Sequence, residues 1–264
     1  MVRLKVREIL VHRPGEEINI VEKPGRWSFS QTPYMIPMQR EHNEIMKVLQ
    51  GEGVKVNYLT KIVGYKPKMY VLRDDAIVLD RRAVACHLSQ AIRRGEEQLV
   101  KLTLKELGIK IAGHIFVPGV LEGSDLFFTS KNHAFAIIGP RTNMEGINHL
   151  KEIFKIDVTP IQMNNLSSTQ FNIINDIALI DEELSYGPLF SALKEKEYDM
   201  IIASKKQVNE MGLNFLQIDD NKIVNTNSGI NKKLKMIGFD VIEVEIRELM
   251  KGNIGVRNIC LPFY

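Results

Sequence analysis

Leu104-Lys105-Glu106-Leu107-Gly108-Ile109-Lys110-Ile111 reads as a helix that stops and a strand that begins. The helical segment ends in the leucine, and an apolar strand follows within a few residues. The same pattern occurs as Leu49-Gln50-Gly51-Glu52-Gly53-Val54-Lys55-Val56, as Leu150-Lys151-Glu152-Ile153-Phe154-Lys155-Ile156, as Leu193-Lys194-Glu195-Lys196-Glu197-Tyr198-Asp199-Met200 and as Leu234-Lys235-Met236-Ile237-Gly238-Phe239-Asp240-Val241. Five copies spaced by roughly 40–55 residues lie in the range of propellers and arrays.

Working outward, the helices show stripes at Ile45/Val48/Leu49, Leu99/Leu102/Leu107 and Ile147/Leu150/Phe154. Thr142-Asn143-Met144-Glu145 predicts a capping-box start for the third helix, and Pro188 and Gly238 predict the start of the fourth and the end of the fifth. Between them lie β-branched and aromatic runs at 8–12, 69–72, 76–79, 126–128 and 177–180. Strand-strand-helix-strand units repeated five times predict an α/β fold, a ring of five small sheets around a central channel with helices outside. No low-complexity linker divides the chain, so residues 1–264 are expected to form one domain.

Composition excludes several classes. The chain has 264 residues, 44% apolar and 25% charged, with a net charge of +3, which gives no reason to expect nucleic acid or an anionic membrane as partner. No apolar run reaches the length of a membrane span and Met1–Arg7 shows no signal-peptide core, so a cytoplasmic protein is expected. Two cysteines, Cys86 and Cys260, make no disulfide framework. The six histidines show no ligand spacing with one another or with cysteine, so no metal is expected, and the absence of Gly-x-Gly-x-x-Gly and of a phosphate loop argues against a nucleotide cofactor. No cofactor is expected. A homo-oligomer is compatible with this composition.

Five segments carry the candidate chemistry. Gly252-Asn253-Ile254-Gly255-Val256-Arg257-Asn258-Ile259-Cys260-Leu261-Pro262 resembles the C-terminal signature of the arginine deiminase, dimethylarginine dimethylaminohydrolase and amidinotransferase (pentein) superfamily, in which a Cys follows the Arg. Leu121-Glu122-Gly123-Ser124-Asp125 resembles its Glu-Gly-Gly-Asp, and Ile138-Gly139-Pro140-Arg141-Thr142 a shortened Gly-x-x-Glu-Arg-Thr. Val71-Leu72-Arg73-Asp74 resembles Phe-x-Arg-Asp, and Arg93-Arg94-Gly95-Glu96 an Arg-x-x-Glu region. Arg13-Pro14-Gly15 with Glu41-His42 is similar to the first module, although taken alone the former is a turn and His42 a packed histidine. Other bland readings stand beside these: Asp74-Asp75 as a hairpin turn, and Arg93–Glu97 as a solvated helix start.

The resemblance, which runs from about Glu8 to Pro262, implies a five-bladed pentein. It also implies a guanidinium gripped by Asp74 and Glu122, with Arg94, Arg141 and Arg257 as candidate binders of a substrate carboxylate. The chemistry it implies is hydrolysis or transfer at a guanidinium C–N bond through a thiolate nucleophile and a proton-transferring histidine. The sequence departs at both positions: Asn258 holds the nucleophile slot and Asn165 the histidine slot. Loss of such groups costs on the order of 10⁶ in turnover in well-studied hydrolases. Three readings follow. The first is a binder of a guanidino compound such as arginine, without thiolate turnover. The second is an active hydrolase or amidinotransferase using altered residues, for example Cys260, which an extended strand would hold roughly 6.5–7 Å from Asn258. The third is a non-catalytic interaction scaffold, as in the pentein-fold ribosome anti-association factor.

Overall fold

The computed structural model describes residues 4–60, 65–162 and 168–264. Five ββαβ modules follow one another around an axis. The first runs through strands 76–79 and 82–85, helix Glu96–Glu106 and strand 110–114; the second through 126–130, 133–138, helix Met144–Phe154 and 157–162. The third uses 171–174, 177–181, helix Pro188–Glu195 and 199–203; the fourth 216–219, 222–226, helix Ile230–Met236 and 240–244. In each, the two leading strands pair antiparallel and the strand after the helix lies parallel to the middle one.

The fifth module is closed by the two ends of the chain. Leu261–Phe263 pairs antiparallel with Glu8–Val11, which after helix Met35–Gly51 pairs parallel with Lys55–Tyr58. A single Phe263–Val78 pairing joins this sheet to its neighbour, giving one six-stranded and three three-stranded sheets. This is the expected five-bladed α/β propeller.

The repeated leucine explains why the modules look alike. Leu49, Leu104, Leu150, Leu193 and Leu234 are all fully buried. In four copies the leucine carbonyl accepts the amide of the residue five positions on, and the residue between is left-handed: Gly53, Gly108, Glu197 and Gly238 at φ of 79°, 73°, 59° and 97°. These are Schellman stops, each turning a helix directly into the next strand. The third copy turns instead at Lys155, φ 58°.

Local expectations differ from the structure in three places. Residues 69–72 form no strand; a 3-10 turn at Leu72–Asp74 leads into strand 76–79, and the hairpin turn is Asp80-Arg81, both at positive φ. The second helix buries Val100 and Leu104 while Leu102 stays 40% exposed. Asn143, not Thr142, caps the third helix by accepting the Gly146 amide, because the Thr142 hydroxyl is committed to Asp125. Gly252 and Gly255 make no left-handed turn; a Cβ there would overlap the Tyr70 hydroxyl at 2.0 Å and Asn214 Cβ at 2.6 Å.

Candidate functional site

Short turns at the entry of each module's first strand face the axis, and they build the site. The turns at Leu72–Asp74, Gly123–Asp125 and Val256–Ile259 immediately precede strands 76–79, 126–130 and 261–263. The first two pack so closely that a Cβ on Gly123 would stand 2.2 Å from the Arg73 carbonyl oxygen. The glycine of the Glu-Gly-Ser-Asp segment is therefore required by a neighbouring backbone, which brings Asp74 and Glu122 together.

The result is a cavity of about 420 Å³ lined by Asp74, Glu122, Arg141 and Asn258 together with Lys68, Gln90 and Arg93. Asp74, Glu122 and Asn258 are 3%, 1% and 2% exposed. A cleft of about 490 Å³ lies alongside and shares Asn253 with it; there Lys205 and Glu183 pair with each other at the surface.

The carboxylates are held by internal arginines. Arg93 donates to Asp74 Oδ2 at 2.5 Å, to Glu96 Oε2 at 2.9 Å and to the Val71 carbonyl. Arg141 donates to Asp125 Oδ1 and lies 3.5 Å from Glu122 Oε2. Glu122 Oε1 accepts from the Ser89 hydroxyl at 2.9 Å. Two buried oxygens of residues lining the cavity, Asp74 Oδ1 and Asn258 Oδ1, make no well-formed hydrogen bond among the described residues, although the Ser124 hydroxyl is near enough to help lower Asp74.

The electrostatics follow from burial. Desolvation raises Glu122, with help from the Asp74 charge, to about 7. Burial alone would also raise Asp74, but the Arg93 and Arg141 guanidiniums hold it below its usual range. Asp75 and Glu96 behind the wall are raised, each by burial first. Lys68, whose ammonium donates to the Gly252 carbonyl and sits 4.4 Å over the Phe29 ring, is lowered to about 7 by burial and by Arg93.

The sequence-derived residues separate into two groups. Asp74, Glu122, Arg141 and Asn258 meet in the cavity. Arg94 does not: it is exposed and donates to the carbonyls of Leu88 and Ser89, while its neighbour Arg93 is the one that reaches the cavity. The entry of helix Glu96–Glu106, with Arg93 folded back onto Glu96, decides this, and sequence spacing carried no signal to choose between adjacent arginines. Arg257 also misses the cavity; it donates to the Ser124 and Leu126 carbonyls and lies 4.2 Å over the Phe127 ring.

Cys260 corrects a second expectation. Val256–Ile259 is a helical turn, not an extended strand, so Asn258 and Cys260 do not share a face. Cys260 is fully buried in the apolar core with Ile9, Ile259 and Val71, and burial pushes its thiol up to about 12. Cys86 is likewise buried in an apolar cluster. None of the six histidines lines the cavity; His42 is buried with neither ring nitrogen bonded, and burial lowers it to about 3. Asn165 lies outside the described residues. Sequence reasoning missed Lys68, which has no motif around it.

The family model for arginine deiminase matches residues 155–264. An uncharacterized protein of Aeropyrum pernix is 26% identical over 264 residues, covering 97% of this chain and 95% of its own length. The N(G),N(G)-dimethylarginine dimethylaminohydrolase of Pseudomonas aeruginosa is 21% identical over 226 residues, 84% of this chain and 87% of that one. The solved Cys-to-Ser mutant of the Pseudomonas aeruginosa enzyme, complexed with citrulline, matches with a TM-score of 0.84 at 18% identity over 98% of this chain and 100% of that one. The substrate-bound Cys-to-Ser mutant of the N-terminal domain of ArgZ, a cyanobacterial arginine dihydrolase, gives 0.84 at 16% identity over 97% of each chain. These likenesses establish the five-bladed α/β propeller fold of the solved structures. In sequence the chain is similar to arginine deiminases over residues 155–264 and to the dimethylarginine dimethylaminohydrolase over most of its length.

Proposed function

We propose that this protein binds a guanidino compound, with free arginine or a close relative as the ligand, and does not run the thiolate reaction. One observation carries the reading: the Asp74 and Glu122 carboxylates and the Asn258 amide line one cavity, with Asp74 Oδ1 and Asn258 Oδ1 buried and short of a hydrogen-bond partner among the described residues. A guanidinium offers five N–H donors in a plane and no acceptor, so it fits a wall of this kind and few other metabolite groups do. Charge points the same way. Four carboxylates, Asp74, Glu96, Glu122 and Asp125, are gathered around two arginines, Arg93 and Arg141. A bound cation offsets the excess and favours ionisation of Glu122.

The guanidinium carbon is a poor electrophile, and an amide side chain at Asn258 supplies no thiolate to attack it. Both thiols of the chain sit in the apolar core. A second reading, an altered hydrolase or amidinotransferase, draws on Lys68 in place of Cys260. An amine near neutrality on the cavity wall has the reactivity of a base or nucleophile at pH 7.

Titration calorimetry with arginine, followed by analysis of the mixture, tests the proposal. Heat of binding is expected with the wild type and not with Glu122→Gln, and arginine is recovered unchanged. Citrulline or ornithine in the mixture, abolished by Lys68→Met, replaces this reading with the second; absence of any heat leaves neither.

A further inference from the structure

The axial channel has a second end, and it is basic. A cavity of about 40 Å³ there is lined by Arg73, Phe127, Asn172, Leu216, Arg257 and Tyr264 among others, so that the first strand of every module, or the turn or end flanking it, contributes. Arg73 is 5% exposed. Its Nη2 donates to the Tyr264 hydroxyl at 2.9 Å, and its Nε and Nη1 have no acceptor among the described residues. Arg257, 4% exposed, has spent both Nη groups on carbonyls but keeps its charge over the Phe127 face.

Among the described residues, no carboxylate side chain lines this cavity. Asp74 and Asp125, whose charges do reach Arg257, are already bonded by Arg93 and Arg141 at the other end. Two guanidiniums thus share a narrow space, and burial together with the Arg73 charge pushes Arg257 well below its usual range despite the opposing influence of Tyr264, Asp125 and Asp74. Leaving buried charge uncompensated costs several kcal/mol per ion, and leaving buried N–H donors unmet adds to that.

We propose that this end of the channel binds one small inorganic monoanion of the size and charge of chloride, held by the positive charges of Arg73 and Arg257. Size sets the class. A water needs roughly 10–15 Å³ of such space, so the cavity admits a halide-sized ion or a few waters, and excludes an amino acid or a nucleotide. The site is separate from the arginine cavity, and its existence does not depend on what that cavity binds.

The test is thermal unfolding of the full chain in sodium chloride, sodium bromide and sodium gluconate at equal ionic strength, gluconate being too large to enter. Chloride and bromide are expected to raise the unfolding temperature saturably, by roughly 3 °C per tenfold excess over the dissociation constant, and gluconate not to. Arg73→Met is expected to remove the difference between salts. In crystals grown with bromide, an anomalous peak is expected beside Arg73; this reading uses the wild type and holds should Arg73→Met fail to fold. Identical unfolding in all three salts overturns the proposal, whether the crystals show water alone or an adventitious ion only.

Discussion

Two pairs of chain neighbours divide the channel between them. Asp74 and Asn258 line one end; Arg73 and Arg257, one residue earlier in each turn, line the other. Both pairs lie on tight turns that enter a first strand, where adjacent side chains leave the backbone in different directions. The two ends are therefore built from the same turns and carry opposite chemistry. Among the described residues, every arginine at the acidic end is engaged and buried oxygens are short of partners; at the basic end buried donors are, and no carboxylate side chain lines the cavity. What this teaches is that one structural repeat supports two unlike sites without any insertion between them.

The comparison breaks most visibly on removing charge from one end only. Glu122→Gln or Asp74→Asn is expected to weaken arginine binding by roughly 100-fold or more, the scale of breaking a buried ionic contact. Arg73→Met is expected to leave arginine affinity within about threefold. Calorimetry on the three variants checks this, and equal losses in all three would merge the two ends into one site.

Neighbours in one turn are expected to differ in stability. Arg257→Met strands the Ser124 and Leu126 carbonyls and is expected to cost about 3 kcal/mol in urea unfolding. Asn258→Ala removes an amide whose carbonyl oxygen has no partner and is expected to cost about 1 kcal/mol or less.

A pH series sharpens the contrast. Glu122, raised to about 7, is protonated below that value and charged above it. A cationic ligand prefers the charged form, so arginine affinity is expected to rise about tenfold from pH 6 to pH 8. Loss of the Lys68 ammonium's charge over the same range acts in the same direction, and an affinity that falls with pH would reverse the assignment. The smallest signal is chemical. Asn258→Cys is expected to react with iodoacetamide while the wild type, whose two thiols are buried, does not, and arginine is expected to slow the labelling.

Much of the fold was legible because its signal is periodic. A helix-ending leucine followed within a few residues by an apolar strand recurs five times, and it predicts five modules. Closure of the ring by Leu261–Phe263 on Glu8–Val11 was not legible, since strand pairing across the whole chain leaves no local trace. The lining of the cavity was legible where a motif singles a residue out, as it does for Asp74, Glu122, Arg141 and Asn258. It was not legible where two equal residues adjoin, as Arg93 and Arg94 do, because helix-entry geometry alone separates them. Arg257 was misassigned for a related reason: a guanidinium that ties two backbone carbonyls reads in sequence like one that waits for a substrate. Lys68 gave no sign because its low basicity comes from burial against Phe29 and Arg93, residues distant in the chain.

The most direct measurement is the structure of a crystal soaked in arginine. The account requires a flat guanidinium within hydrogen-bonding reach of Asp74 Oδ1 and Glu122, intact and unbonded to any side chain, with Asn258 alongside. A solvent-filled cavity at saturating arginine, or a covalent adduct or citrulline in its place, would contradict it.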